Sequence, residues 1–380
     1  MRNRLIVFLS VFQTVLLLVH GFLFFTWIYF CAPRIAGGTD YGDIRFLDHS
    51  SLLAGMAILS LSFLVTSLIG FRLTNIVLRF FYRITAVWLG FVNYAFFSAV
   101  ACWVSYLALR LISGGRTERR YFALGFLGLA AAVTAYGVIN AAVTRVQRIT
   151  VKLPNLPASW RGRTAVLMSD LHLGNFRGPR FARRMAKMAN RLNPDVVFIA
   201  GDLYDGTPGD LTRLAGPLSA LKPALGSFFV EGNHEEFSNS TKYLKAVAAA
   251  GVRVLVNELI VVDGLQILGV TYRDATHGEH FRKVLRNTGF DRSLPGILLE
   301  HAPDRIEVSA QEGISLQLSG HTHYGQFWPW TLAAARMYGK YVYGLQRIGD
   351  MQIYTSCGAG TWGPPLRVGN HPEIVVIRFE

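Results

Sequence analysis

The hydrophobic pattern of the chain changes character after Ala142. Before it lie four long apolar stretches, Leu5 to Phe30, Ser51 to Phe71, Ile84 to Leu109 and Tyr121 to Ala142. A helix of roughly 20 apolar residues spans a bilayer core, so each stretch predicts a membrane-crossing helix. Of Asp, Glu, Lys, Arg and His, only His20 falls inside them, while Arg72, Arg79, Arg83, Arg110, Arg116, Arg119, Arg120, Arg145 and Arg148 lie between or beyond them. Such punctuation is expected where burying a charge in hydrocarbon is costly. The first stretch follows Arg2 and Arg4 as a signal peptide would. It is much longer than an h-region of about 7 to 15 residues, and so reads as a retained span.

After Ala142, Arg145, Arg148 and Lys152 lead into Pro154 and Pro157, a polar and stiff connector. The expected boundary falls at Gln147, giving a helical membrane domain over residues 1–147 and a second domain over 148–380. In the second, short apolar runs alternate with helical patterns, which predicts an α/β fold. Polar residues of one chemical kind follow these runs. Thr164 to Ser169 leads to Asp170 and His172, Val196 to Ala200 to Gly201 and Asp202, and Ser227 to Val230 to Gly232, Asn233 and His234. Ile297 to Leu299 leads toward His301, and Ser315 to Leu318 toward Gly320, His321 and His323. The carboxyl edge of an open α/β sheet is where ligands gather, so residues distant in sequence can converge there.

The mixture of donors defines the chemistry. Carboxylate can bridge two cations, imidazole suits Mn, Fe, Zn and similar metals, and an amide oxygen ligates without adding charge. Two such cations can neutralise a phosphoester and generate hydroxide at neutral pH. The glycines before Asp202, Asn233 and His321 allow sharp turns that bring backbone close to metal or phosphate.

Composition supports the division. The chain is 51% hydrophobic, with mean hydropathy +0.31 and net charge +14. Residues 1–150 hold 13 of the 38 Lys and Arg and 4 of the 24 Asp and Glu, so most of the excess is juxtamembrane. That placement points to anionic lipid headgroups rather than nucleic acid. Cys31, Cys102 and Cys357 form no disulfide framework and identify no compartment. A cytoplasmic N-terminus puts Arg2, Arg4, Arg72, Arg79, Arg83, Arg145, Arg148 and Lys152 inside, against Arg34, Arg45, Arg110, Arg116, Arg119 and Arg120 outside. Four spans then return the C-terminal domain to the cytoplasm. A fifth span hidden in Thr74 to Ile112 would reverse this.

The ordered motifs Asp170-x-His172, Gly201-Asp202, Gly232-Asn233-His234-Glu235, His301 and Gly320-His321-Thr322-His323 resemble those of the calcineurin-like metallophosphoesterases over about Leu167 to Phe379. His301-Ala302-Pro303-Asp304, the run from Gly320 to Gln326 and Gly358 to Gly363 resemble the membrane-associated, YkuE-like branch. The resemblance implies an α/β/β/α sandwich of two packed mixed sheets. It further implies two divalent metal ions, one on Asp170, His172 and His323, the other on Asn233, His301 and His321, with Asp202 bridging. By the same resemblance His234 is the general acid when metal-activated hydroxide attacks phosphorus in line, and Asp205 either accepts a hydrogen bond from His234 or caps the following segment. Protein Ser/Thr phosphatases of the superfamily carry Arg where this chain has Gly206, which disfavours a phosphoprotein substrate. Some relatives carry Arg where Cys357 stands, which leaves a phosphate contact there unassigned.

The substrate class implied is a phosphomonoester or phosphodiester, and the anchor suits an amphiphilic one such as a phospholipid headgroup or a nucleotide-linked lipid precursor. Membrane lipids are the other expected partner, and no protein partner follows from the sequence. The alternative class is a metal-binding membrane scaffold or sensor without turnover. Arg177, Arg180, Arg183, Arg184, Lys187 and Arg191 form either a solvated helix face or a hold on an anionic substrate or the membrane. The aromatic segment Tyr324 to Tyr343 is either a lipid-facing rim or core. His277, His280 and His371 have no metal context.

Overall fold

A computed structural model of the chain describes residues 2–31, 49–113, 119–236 and 240–380. Arg34, Arg45 and Arg116, which enter the arginine count above, lie outside the described residues. Contacts divide the chain into two compact units, one of residues 1–70 and 75–138, the other of residues 71–74 and 139–380.

The first unit is built from helices α1 (Arg2–Cys31), α2 (Ser50–Gly70), α3 (Ile76–Ser113) and most of α4 (Arg119–Ala142). All four are long and apolar enough to cross a membrane. α3 is one unbroken helix of 38 residues, so among the described residues the Thr74 to Ile112 region holds one span and not two. At 1.5 Å rise per residue it is about 57 Å long, far more than a hydrocarbon core of about 30 Å. His20 is buried, its Nδ1 2.8 Å from Leu16 O, and its Nε2 accepts from Trp88 Nε1 at 3.0 Å.

The second unit holds two six-stranded sheets. In chain order the strands are β1 (Arg145–Val151), β2 (Thr164–Met168), β3 (Val196–Ala200), β4 (Ser227–Val230), β5 (Arg253–Val254), β6 (Glu258–Val262), β7 (Leu265–Gly269), β8 (Gly296–Leu299), β9 (Leu316–Ser319), β10 (Gly344–Ile348), β11 (Met351–Thr355) and β12 (Glu373–Phe379). The first sheet runs β1-β12-β2-β3-β4-β5 and the second β10-β11-β9-β8-β7-β6. Strands β2 to β4 are parallel neighbours, as are β7, β8 and β9. Parallel sheets need both faces covered, which is why these strands read as continuous apolar runs rather than alternating ones.

Leu167, Phe198, Leu299 and Leu316 interdigitate between the sheets. Val166, Ile199 and Phe229 cover the outer face of the first sheet with Met185 of the helix Pro179–Asn190. Leu298 and Ile353 meet Phe281 and Leu285 of the helix Gly278–Asn287 outside the second. The order of layers is therefore α/β/β/α, as the resemblance implies. Arg145–Val151, expected as connector, is instead an edge strand, parallel to β12 from Arg145 against Glu373 to Val151 against Phe379. Its solvent-facing arginines hide the strand pattern from sequence reading.

Candidate metal centre

The loops after β2 and β3 run together as a short main-chain ladder: Asp170 N donates to Gly201 O at 3.1 Å and His172 N to Asp202 O at 3.1 Å. Their backbone is unusual. Asp170, His172, Asp202, His321 and His323 all have φ between +48° and +69°. Left-handed backbone costs a non-glycine residue about 1 kcal/mol or more, and such positions persist where the surroundings over-determine them. Here the conformation turns side chains from three strand ends, those of β2, β3 and β9, toward one place.

Glycine at 232 and 320 serves close approach rather than a left-handed turn. A Cβ on Gly232 would collide with the Asp202 carboxylate, and one on Gly320 with that of Asp170. The sharp turn expected at these positions is confined to Gly201, which has φ +78°.

Among the described residues, three groups of side chains could each hold a metal ion: Asp170, His172 and His323; His172, Asp202 and His234; and Asp202, His301 and His321, with ligand atoms in each group all within 4.8 Å of one another. Asp202 belongs to two of them. Its Oδ2 lies 3.2 Å from His301 Nε2, 3.8 Å from His172 Nε2 and 3.9 Å from His234 Nε2, while its Oδ1 accepts from His234 N at 3.0 Å. His323 Nε2 lies 3.5 Å from Asp170 Oδ1 and 2.9 Å from His172 Nε2. His321 Nδ1 faces His301 Nε2 at 3.3 Å.

These residues fit cations. Asn233 Oδ1 is a buried acceptor with no hydrogen-bond partner, at the start of the one-turn helix Asn233–Glu236. His301 Nδ1 donates to Ala200 O at 2.8 Å, which leaves Nε2 to face the centre, the arrangement that orients a ligand imidazole. Burial, then neighbouring imidazoles, hold His172 and His323 well below the usual histidine range, and burial followed by His301 brings His321 to about 4. Their rings are therefore neutral, as ligation requires. Burial opposes ionisation of Asp202, but His301 and His234 hold it well below the carboxylate range. Burial also opposes charge on His301, and Asp202 overcomes this to raise it to about 10, so without a cation this ring keeps a proton that ligation would displace.

Two side chains that sequence reasoning assigned no role shape the site. Glu235 is fully buried and accepts from Asp202 N, Tyr204 N and Gly232 N at 3.0, 2.9 and 2.8 Å, pinning the β3 and β4 loops together. Arg367, also fully buried, donates to His323 O at 2.8 Å, Cys357 O at 2.6 Å and Gly360 O at 2.7 Å. Its Nη2 also lies 3.1 Å from His323 Nδ1, a place where ligand imidazoles ordinarily meet an acceptor. Glu235 stood inside a quoted motif; a lone arginine ten residues beyond Cys357 carries no signal. Cys357 itself is buried, with Sγ 2.9 Å from His371 O, and the guanidinium beside its carbonyl comes from Arg367.

The two readings of Asp205 divide between its main chain and its carboxylate, and the reading of Arg177 is corrected. The hydrogen bond that orients His234 comes from the main chain: Nδ1 lies 3.0 Å from Asp205 O. The Asp205 carboxylate is turned away and accepts from Asn175 N at 2.8 Å and Thr207 N at 2.9 Å, because so short a side chain closes its own loop first. Arg177 is no solvated face. It is buried, stacked 4.3 Å over the Phe181 ring, and donates to Ala141 O and Thr361 Oγ1, each at 3.3 Å. The aromatic segment divides between its two readings: Phe327 is buried, Tyr343 donates to Glu373, and Trp328 and Trp330 are exposed.

A cluster of imidazoles and carboxylates at the shared edge of a two-sheet sandwich is a set of donors that could hold metal ions. A family model described as calcineurin-like phosphoesterase matches residues 164–325. An uncharacterized metallophosphoesterase of Aquifex aeolicus is 31% identical over 264 residues, covering 66% of this chain and 98% of that protein. The transmembrane protein with metallophosphoesterase domain of Danio rerio is 34% identical over 267 residues, 66% of this chain and 60% of the relative. YkuE of Bacillus subtilis, an uncharacterized metallophosphoesterase, is 29% identical over 284 residues, 70% of this chain and 98% of its own. The chain spans about three fifths of the length of the zebrafish relative and of a Helicobacter pylori one. The chain belongs to the calcineurin-like metallophosphoesterases, a family of phosphoric ester hydrolases.

Proposed function

We propose that the chain is a membrane-anchored phosphoesterase that uses two divalent metal ions. The observation that supports this most is Asp202, whose Oδ2 lies within reach of ligand atoms of both groups, 3.8 Å from His172 Nε2 and 3.2 Å from His301 Nε2. In this reading Asp170, His172 and His323 hold one ion, Asn233, His301 and His321 the second, and Asp202 is common to both. Mn, Fe and Zn all suit such donors. When bound, the ions neutralise the phosphoryl oxygens and lower the pKa of water.

His234 is the proton donor to the departing alkoxide. Its Nδ1 donates to Asp205 O, and its Nε2 faces the centre beside Asp202. His234→Ala is expected to retain the metals and lose about 10²- to 10⁴-fold in rate, more for alkyl than for nitrophenyl leaving groups. Rates for a leaving-group series together with metal content check this; equal losses across the series would make His234 a substrate-positioning residue.

The substrate in this reading is a phosphomonoester or phosphodiester presented at a membrane, a phospholipid headgroup or a lipid-linked nucleotide. The catalytic unit lies on the cytoplasmic side, a placement favoured by the arginines flanking the spans. A reporter fused after Glu380 is expected to be active only in the cytoplasm; activity only outside it would reverse the topology. A scaffold without turnover is the lesser reading, because the positions of Asp202 and His234 suit turnover.

A further inference from the structure

We infer that Trp362 is a specificity-determining residue, a fixed platform on which a flat aromatic ring of the leaving group stacks while His234 protonates the departing oxygen. The inference rests on the phosphoesterase reading above. A single exposed tryptophan is ordinary on a protein surface, and what sets this one apart is where it stands and how it is held. Every residue from Met351 to Thr361 is buried, and the chain then surfaces at Trp362, which is 53% exposed. The indole meets the His234 ring edge to face, with centroids 5.7 Å apart and planes at 67°.

The main chain around Trp362 is pinned. Ala359 N donates to Ser169 O at 2.9 Å and Gly360 N to Asp170 O at 2.8 Å, which ties the segment after β11 to the loop that carries Asp170. A Cβ on Gly360 would strike the carbonyl oxygens of Asp170 and Leu171, so glycine is what lets the two loops lie this close. Buried Thr361 accepts from Arg177 Nη2 at 3.3 Å. The buried Gln326 side chain brackets Trp362 itself: Trp362 N donates to its Oε1 at 2.8 Å, and its Nε2 donates to Trp362 O at 3.0 Å and Pro364 O at 2.7 Å. A side chain presented on so fixed a backbone costs little ordering when a ligand covers it.

Proton donation requires the leaving oxygen within hydrogen-bond reach of His234, so the atoms attached to that oxygen lie next to Trp362. As the oxygen of water bonds to phosphorus and the bond to the leaving oxygen breaks, His234 passes its proton to that oxygen. An indole gives a flat ring a large contact area at small loss of side-chain freedom. A cationic headgroup also finds an indole attractive, but here it would lie beside a His234 that is charged when it acts as acid. Of the substrates proposed above, the lipid-linked nucleotide brings a flat ring and the phospholipid headgroup does not. Trp362 therefore favours the nucleotide.

The test compares adenosine 5′-phosphate with ribose 5-phosphate, which share the leaving oxygen and differ by the base, each as monoester and as methyl diester. Release of the 5′-alcohol is followed for the full chain in detergent micelles with Mn²⁺, with phosphocholine and bis(p-nitrophenyl) phosphate run beside them. The wild type is expected to favour the adenosine compounds in kcat/KM by about tenfold or more. Trp362→Ala should bring that ratio to within about twofold of one, and Trp362→Phe, which keeps a smaller ring, should retain about threefold. A wild type that cleaves bis(p-nitrophenyl) phosphate but shows no preference for the base, or prefers phosphocholine, overturns the platform alone. So does an equal fall for both sugar phosphates in Trp362→Ala, which would make the indole a support for the His234 ring. Hydrolysis of none of these compounds by the wild type overturns the phosphoesterase reading and the platform with it.

Discussion

Asp202→Asn is expected to lower phosphoester hydrolysis by at least about 10³-fold, with loss of bound metal and little change in folding. The amide oxygen can still accept from His234 N, the role that Oδ1 plays at 3.0 Å, so the start of the helix Asn233–Glu236 keeps its anchor. The other atom becomes an NH₂ group where Oδ2 faced His301, His172 and His234. In the two-metal reading a donor then replaces the shared anionic ligand, and two cations would face each other with no charge between them. Elemental analysis beside rate measurement separates the outcomes. Wild-type metal content and rate in this variant would remove Asp202 from the centre.

Arg367→Ala is expected to destabilise the second unit by about 2–6 kcal/mol, because it strands the carbonyls of Cys357 and Gly360, each unsatisfied buried acceptor costing about 1–3 kcal/mol, while His323 O keeps Gln326 N and Asn370 Nδ2 as donors. In a unit of this size the apparent melting temperature should fall by about 10 °C. The loss should be accompanied by weaker metal retention. Arg367 ties the His323 loop to the Gly358–Gly360 loop, and that loop packs on Asp170 through Gly360 N donating to Asp170 O at 2.8 Å. Thermal denaturation of wild type and variant decides it. An unchanged melting temperature would show that the loops hold without the clamp.

What the sequence made legible and what it hid follow from the range of the interactions. The donor residues were readable because each follows a short apolar run, and strand ends are local features: β2, β3, β4, β8 and β9 all lie where their runs predict. The four spans were readable by composition, as was their continuity except in α3, whose 38 residues allowed two readings. The strand β1 was not, since an edge strand bearing Arg145 and Arg148 lacks an apolar signature. Arg367 and Glu235 act by side-chain bonds to distant main-chain atoms, and no spacing rule encodes those. Arg177 misled for a related reason. A basic residue beside a basic helix reads as solvated until tertiary packing sets Phe181 beneath it and the end of α4 against it.

Whether two cations act together around Asp202 is decided by stepwise metal loading. The metal-depleted full chain in detergent micelles is titrated with Mn²⁺ while bound metal and hydrolysis of bis(p-nitrophenyl) phosphate are followed together. If two cations are needed, hydrolysis should be negligible up to about one bound equivalent, rise to saturate at about two, and be lost on chelation. Hydrolysis that is complete at one equivalent, or that persists in the chelated protein, would contradict the two-cation reading.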